Sequence, residues 1–256
     1  MMRTNRSFLL AVLILLGAVS CQARGVRFYK AEVVKEYPHD VSSYTQGLFF
    51  HKGKLIETTG QYGESTLREI DIQSGKALRK VDFNKKYFVE GSVVLDGKLF
   101  ILTWTNKVAF VYDPETFSYK ATYSYPRQGW GLTTDGKSLI ASDGSSRLYF
   151  LTPEFRQEKV IDVNLNGKPI RYLNELEWID GRIWANVYTT DMILVINPSN
   201  GDVEKCIDCS GILPEALRTK KTDVLNGIAI NPEDGRIYIT GKYWPRLYEI
   251  TLVEHK

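Results

Sequence analysis

Five dipeptides stand directly before apolar segments and put chemically able side chains at repeating positions: Gln46-Gly47, Glu90-Gly91, Trp130-Gly131, Asn174-Glu175 and Asn226-Gly227. Four of them end in glycine, while the first residue differs. Positions that serve packing keep one residue type from copy to copy, so differing polar residues need another reason. If the segments surround a common axis, Gln46, Glu90, Trp130, Asn174 and Asn226 converge on one mouth, a few hydrogen-bonding groups beside an aromatic wall, as in a ligand pocket. A structural alternative stands beside this one, since Asn and Gln also cap strand ends and satisfy turn donors. Trp104, Tyr188, Lys242 and Trp244 follow the second apolar segments of their units and join as candidates, although tryptophan on a strand also serves core packing.

Metal and redox chemistry find less support. His39, His51 and His255 are too scattered to make a zinc cluster. Cys206 and Cys209 form a Cys-x-x-Cys pair, but Ile207 and Asp208 between them read as strand, which sends side chains three apart to opposite faces. A local disulfide or two free thiols fits that geometry better than a redox motif.

The elements that must position the ring repeat. A short apolar strand, a glycine turn and a second apolar strand recur with turns at Gly53, Gly97, Gly136, Gly181 and Gly235, which lie 44, 39, 45 and 54 residues apart. That spacing belongs to propeller blades or solenoid units. A third strand follows each hairpin and ends in a polar turn, often with proline as in Asp113-Pro114, Thr152-Pro153 and Asn197-Pro198, where a residue without an N–H stops the ladder. Outer strands are expected at Ala77–Phe83, Tyr119–Tyr125, Gln157–Val163 and Val203–Ile207. The fifth unit reaches Lys256 just after its third strand, and the alternating segment Val26–Tyr37 is expected to supply its outer strand. The expectation is an all-β fold, a five-bladed β-propeller in one domain (residues 21–256) with its ring closed by the N-terminal strand, which leaves no long exposed edge.

At these residues the chain resembles the plant and bacterial type of glutaminyl cyclase, also called glutamine cyclotransferase. The likeness spans Val33–Leu252 and rests on eight segments in order: Tyr44-Thr45-Gln46-Gly47-Leu48, Phe88-Val89-Glu90-Gly91, Leu102-Thr103-Trp104, Gly129-Trp130-Gly131-Leu132, Leu173-Asn174-Glu175-Leu176-Glu177, Trp184-Ala185-Asn186-Val187, Leu225-Asn226-Gly227-Ile228-Ala229 and Thr240-Gly241-Lys242. The resemblance implies Glu90, Asn174 and Lys242 as catalytic residues and Gln46, Trp104 and Trp130 as substrate-binding ones. Tyr44 stands where the family has Phe and Tyr188 where it has a site tryptophan, so both are expected to contact substrate in altered form, with Asn226 completing the ring. The implied reaction closes N-terminal glutamine of peptides or proteins into pyroglutamate with loss of ammonia. Nucleophile and electrophile share one molecule, so no nucleophilic side chain, metal or cofactor is required, and a structural calcium is compatible with this. Glu90 would shuttle the proton, and Asn174 and Lys242 can both donate, one to the oxyanion and the other to the oxyanion or the peptide carbonyl, with the division between them open. The alternative is a non-catalytic propeller binding peptides or glycans in the same mouth; a lactonase-like calcium site would want more than the single ring carboxylate.

Arg3 and Arg6 precede an apolar run from Phe8 to Val19, too short to span a bilayer and suited to a signal peptide over residues 1–20. Ala18-Val19-Ser20-Cys21 resembles a lipoprotein cleavage box with Cys21 lipidated, beside the alternative of simple secretion. The protein is therefore expected to be exported, periplasmic or an outer-membrane lipoprotein, touching the membrane only through that anchor. Lys plus Arg number 33 against 30 Asp plus Glu, with no dense basic run, which argues against a nucleic-acid partner.

Overall fold

The computed structural model describes residues 25–255; residues 1–20 and Cys21, read as signal peptide and lipidation site, lie outside them. The described chain is all-β and propeller-like, its one helical element being the 3-10 turn Glu215–Leu217. Three sheets are four-stranded antiparallel meanders: Thr45–His51, Lys54–Thr59, Thr66–Asp71 and Lys76–Asp82; then Val89–Leu95, Lys98–Thr103, Val108–Tyr112 and Tyr119–Ser124; then Leu132–Thr134, Leu139–Ser142, Arg147–Leu151 and Gln157–Asp162. The first hairpins turn tightly because Lys52-Gly53, Asp96-Gly97 and Asp180-Gly181 all have positive φ at both residues, the backbone that two-residue hairpin turns demand.

Apart from the small hairpin of Asn164–Leu165 and Lys168–Pro169, an eight-stranded sheet carries the rest. Leu173–Ile179, Arg182–Val187, Met192–Ile196 and Val203–Asp208 form one half; Leu225–Ile230, Ile237–Gly241 and Arg246–Glu254 form the other. Arg27–Pro38 joins the halves. It pairs antiparallel with Arg246–Glu254 in the expected place of an outer strand, while Arg27 to Lys30 also pair in parallel with Lys205 to Asp208. That second seam has no signature in an alternating pattern, which fixes the buried face and not the partner at the other edge.

The first strands of the successive units neighbour one another in a ring, Thr45–His51 lying between Val89–Leu95 and Leu225–Ile230. Apolar side chains fill the wedges between consecutive units. Phe49 and Leu67 meet Val89 and Ile101 in one wedge; Phe100 and Ala109 meet Leu132 and Leu139 in the next. Ile140 and Leu148 then meet Leu176 and Ile183, Ile193 and Trp184 meet Ile228 and Ile239, and Leu48 and Leu55 meet Ala229 and Tyr238. Cys206 and Cys209 are buried free thiols in two different wedges, as side chains three apart on a strand require.

Candidate active site

Four of the five ring dipeptides sit where their sheet breaks register, Trp130-Gly131 instead lying just before its strand. The ladders shift between Thr45 and Gly47, Val89 and Ser92, Leu173 and Leu176, and Leu225 and Ile228, so Gln46, Glu90, Asn174 and Asn226 all fall in irregularities of the innermost strand. A bulge re-aims the side chain it contains. The following glycines let neighbouring inner strands close up: a Cβ on Gly131 would overlap the Asn174 carbonyl oxygen, and one on Gly91 the Leu132 amide. Second-strand side chains pin three of these bulges to the preceding unit. The Thr58 hydroxyl donates to the Glu90 carbonyl at 2.7 Å, the Ser142 hydroxyl to the Asn174 carbonyl at 2.7 Å, and the Gly227 amide to Asn186 Oδ1 at 3.0 Å.

Glu175, standing where four units have glycine, spans the axis itself. Its Oε1 accepts the Leu48 amide at 3.2 Å and its Oε2 the Ile228 amide at 2.9 Å, tying the fourth inner strand to the first and fifth. Burial, reinforced by the Glu177 charge, pushes its pKa well up.

Above Glu175 the ring opens into a pocket of about 340 Å³ lined by Gln46, Glu90, Asn174 and Lys242 with an aromatic wall of Tyr44, Phe88, Trp104, Trp130 and Tyr188. Phe88 meets Tyr44 and Trp104 edge-on, at 6.0 and 5.5 Å between centroids, and Trp130 meets Tyr188 at 5.7 Å. Glu90, Asn174 and Lys242 are only 4%, 2% and 2% exposed, so the polar groups lie deep and the rings form the mouth.

A family model described as glutamine cyclotransferase matches residues 7–252. The chain belongs to the glutamine cyclotransferase family. An Arabidopsis thaliana protein named glutaminyl-peptide cyclotransferase is 42% identical over 235 residues, covering 88% of this chain and 72% of that one. The crystal structure of Myxococcus xanthus glutaminyl cyclase superposes with a TM-score of 0.84 at 36% identity, covering 90% of this chain and all of that one.

In this glutamine cyclotransferase chain, burial is the main influence on both central charges. It drives the Glu90 carboxyl well above the usual carboxylate range against the opposing pull of Lys242. It lowers Lys242 to about 8, against the Glu90 and Asp223 charges that favour its ammonium. The ammonium lies 4.5 Å from the centre of the Tyr44 ring and 5.0 Å from that of Tyr188. The side-chain Oδ1 of Asn174 is buried without a hydrogen-bond partner, leaving that atom free for a ligand.

Of the site residues expected from the sequence, Tyr44, Gln46, Glu90, Trp104, Trp130, Asn174, Tyr188 and Lys242 line this one pocket. Asn226 does not. It is fully buried one layer below, its Nδ2 donating to the Thr45 carbonyl at 2.8 Å and to Gln46 Oε1 at 3.3 Å, so it orients Gln46. Trp244 is core as well, its indole N–H donating to the Asp223 carbonyl at 2.8 Å. Phe88 and Gln61 line the pocket without having been singled out. Trp104, Tyr188 and Lys242 each stand one residue past their unit's second strand, where the first unit has Gly60, so that register points to Gly60 and misses Gln61, the residue after it. Gln128 escapes sequence reasoning altogether: its Oε1 accepts the indole N–H of Trp104 at 3.0 Å and that of Trp130 at 3.3 Å.

Proposed function

We propose that this pocket makes the chain a glutaminyl-peptide cyclotransferase in which Glu90, Asn174 and Lys242 carry the reaction. The observation that carries the assignment is the meeting of a carboxylate raised by burial, a lysine lowered by burial and an unpartnered amide in one aromatic-walled pocket. In the reaction the α-nitrogen of N-terminal glutamine bonds to its own side-chain amide carbon, the bond from that carbon to the amide nitrogen breaks, and one proton passes from the attacking to the departing nitrogen, which leaves as ammonia. An N-terminal amine has a pKa of about 8, so much of it is protonated at neutral pH and must surrender a proton before attack. A carboxylate made more basic by burial is matched to that task, and Glu90 can hold the proton until it is passed on. The Lys242 ammonium and the Asn174 Nδ2 are the donors we assign to the oxyanion, the free Asn174 Oδ1 can accept from the substrate's amine, and Gln46, held by Asn226, orients the substrate.

Release of ammonia from a short peptide with N-terminal glutamine, with the matching mass loss, tests this reading. Binding without loss above the spontaneous rate would favour the alternative, a propeller that only binds peptides or glycans. The reading uses no metal, because nucleophile and electrophile already share one molecule. Strong chelators should leave the rate unchanged, and a loss restored by zinc would overturn this part of the proposal.

The fold itself we read as a five-bladed propeller. The ring of first strands and the five apolar wedges support it, and Arg27–Pro38 supplies the outer strand that closes the fifth blade. An experimental strand order leaving Arg246–Glu254 as a free edge would contradict it. Export follows from the sequence of residues 1–20, with Cys21 as the proposed lipid anchor. Mass spectrometry of the mature protein separates a diacylated Cys21 from simple secretion.

A further inference from the structure

The fourth and fifth units are joined by the longest connection between an outer strand and the next inner strand, residues 209–224, against 83–88, 125–131 and 163–172 elsewhere. It accounts for the widest glycine spacing in the sequence. Such connections leave the outer strand on the face where the next inner strand begins, the face that bears the pocket, and insertions in repeat folds often build a binding surface there. The segment packs beside the turn 188–191 and borders a second, open cavity of about 310 Å³, lined by Thr189, Asp191, Arg218, Thr222 and Asp223.

Pocket and cavity share one partition. Tyr188 lines the pocket, and the next three residues line the cavity. Lys242 lines the pocket, and its backbone is paired with the cavity side: the Asp223 amide donates to the Lys242 carbonyl at 3.0 Å and the Lys242 amide to the Val224 carbonyl at 2.9 Å. The cavity walls offer both kinds of hydrogen bond. Arg218 is held only by the exposed Glu215, at 3.5 Å, and Asp223 uses one oxygen on the Val224 amide. No lysine, arginine or histidine among the described residues pairs with Asp191.

We infer that this cavity is a subsite for the peptide main chain beyond the first residue after the N-terminal glutamine, Asp191 accepting a peptide N–H and Arg218 donating to a peptide carbonyl. The inference rests on the cyclotransferase reading: Tyr188 and Lys242 belong to the pocket that would seat the glutamine, and the cavity begins on the other side of the same two segments. An extended peptide presents alternating donors and acceptors, the complement of a wall carrying both a carboxylate and a guanidinium.

The test compares kcat/KM for Gln-Ala and Gln-Ala-Ala-Ala in the wild type, Asp191→Ala and Arg218→Ala. The wild type should prefer the longer peptide by about tenfold or more through KM, the worth of one or two charge-assisted bonds. Each variant should lose most of that preference while turning over Gln-Ala at the wild-type rate, which also shows that it is folded. Equal rates for the two peptides in the wild type, or variants that lose both peptides alike, would overturn the subsite. Failure of the wild type to cyclise either peptide would instead overturn the underlying reading and the subsite with it.

Discussion

Lys242 holds its ammonium between two tyrosines, 4.5 Å from the centre of the Tyr44 ring and 5.0 Å from that of Tyr188. Burial lowers its pKa to about 8, so the charge proposed to stabilise the oxyanion is lost just above neutrality. Activity should therefore fall as pH rises through about 8. The Asp223 charge is one of the influences that keep the value from falling further, so in Asp223→Asn the basic limb of the kcat/KM profile should move to lower pH. A limb that stays put would remove Lys242 from the titration. Lys242→Met should cost about a hundredfold or more in kcat, the usual loss of one oxyanion donor.

As the proposed base, Glu90 should govern the acid limb. Its carboxyl is raised by burial, and the base must be ionised to accept a proton, so activity should fall on acidification at a pH well above that of an ordinary carboxylate. Glu90→Gln keeps shape and burial while removing the base. Turnover should vanish with peptide binding, followed by calorimetry, largely kept. Retained turnover would take Glu90 out of the mechanism.

Gln128 is exposed, yet a single side-chain oxygen of it receives the indole N–H groups of Trp104 and Trp130. Gln128→Leu should leave stability and kcat close to wild type and raise KM several-fold to about tenfold, since two neutral hydrogen bonds that fix the aromatic wall are lost. In a Trp104→Phe background, where one N–H is already gone, the same substitution should cost less. Equal costs in the two backgrounds would show that Gln128 acts by another route.

What the sequence makes legible here is whatever repeats. Gly53, Gly97 and Gly181 announce hairpins because their turns need positive φ, and Gln46, Glu90 and Asn174 stand out because they break a pattern that their units otherwise share. Side chains that act once are harder to see. Asn226 reads as a ring member from its position, but its depth depends on whether its own bulge or that of Gln46 faces the pocket, and it lies beneath Gln46. Glu175 looks like a lapse in a glycine position until the ring is closed and the amides of Leu48 and Ile228 come within its reach. The parallel seam from Arg27 to Lys30 and the clasp of Gln128 join residues whose spacing carries no period.

The first and fifth units are locked by a buried ion pair, and it bears on the pocket through Thr45, the neighbour of Gln46. His39 gives one ring nitrogen to Glu57 Oε1 at 3.1 Å and the other to the Trp244 carbonyl at 2.8 Å; Glu57 also accepts the Thr45 hydroxyl at 2.7 Å. Burial is the largest single influence and opposes both charges, but Glu57 with the Trp244 carbonyl and Asp40 on one side, and His39 with Arg68 and Thr45 on the other, together outweigh it, so His39 is raised above its usual value and Glu57 lowered below its own. The glutamate's contribution to stability is present above its unfolded pKa and is lost as pH falls through its depressed folded value. The histidine's is present below its unfolded pKa and is lost as pH rises through its raised folded value. Both act in full between about 4.5 and 6.5, the two unfolded values. Glu57→Gln should therefore cost about 3 kcal/mol in urea unfolding within that window, and the gap to wild type should narrow on either side of it. A gap constant from acid to alkaline pH would mean that the pair contributes through shape and hydrogen bonding, with its charge adding nothing.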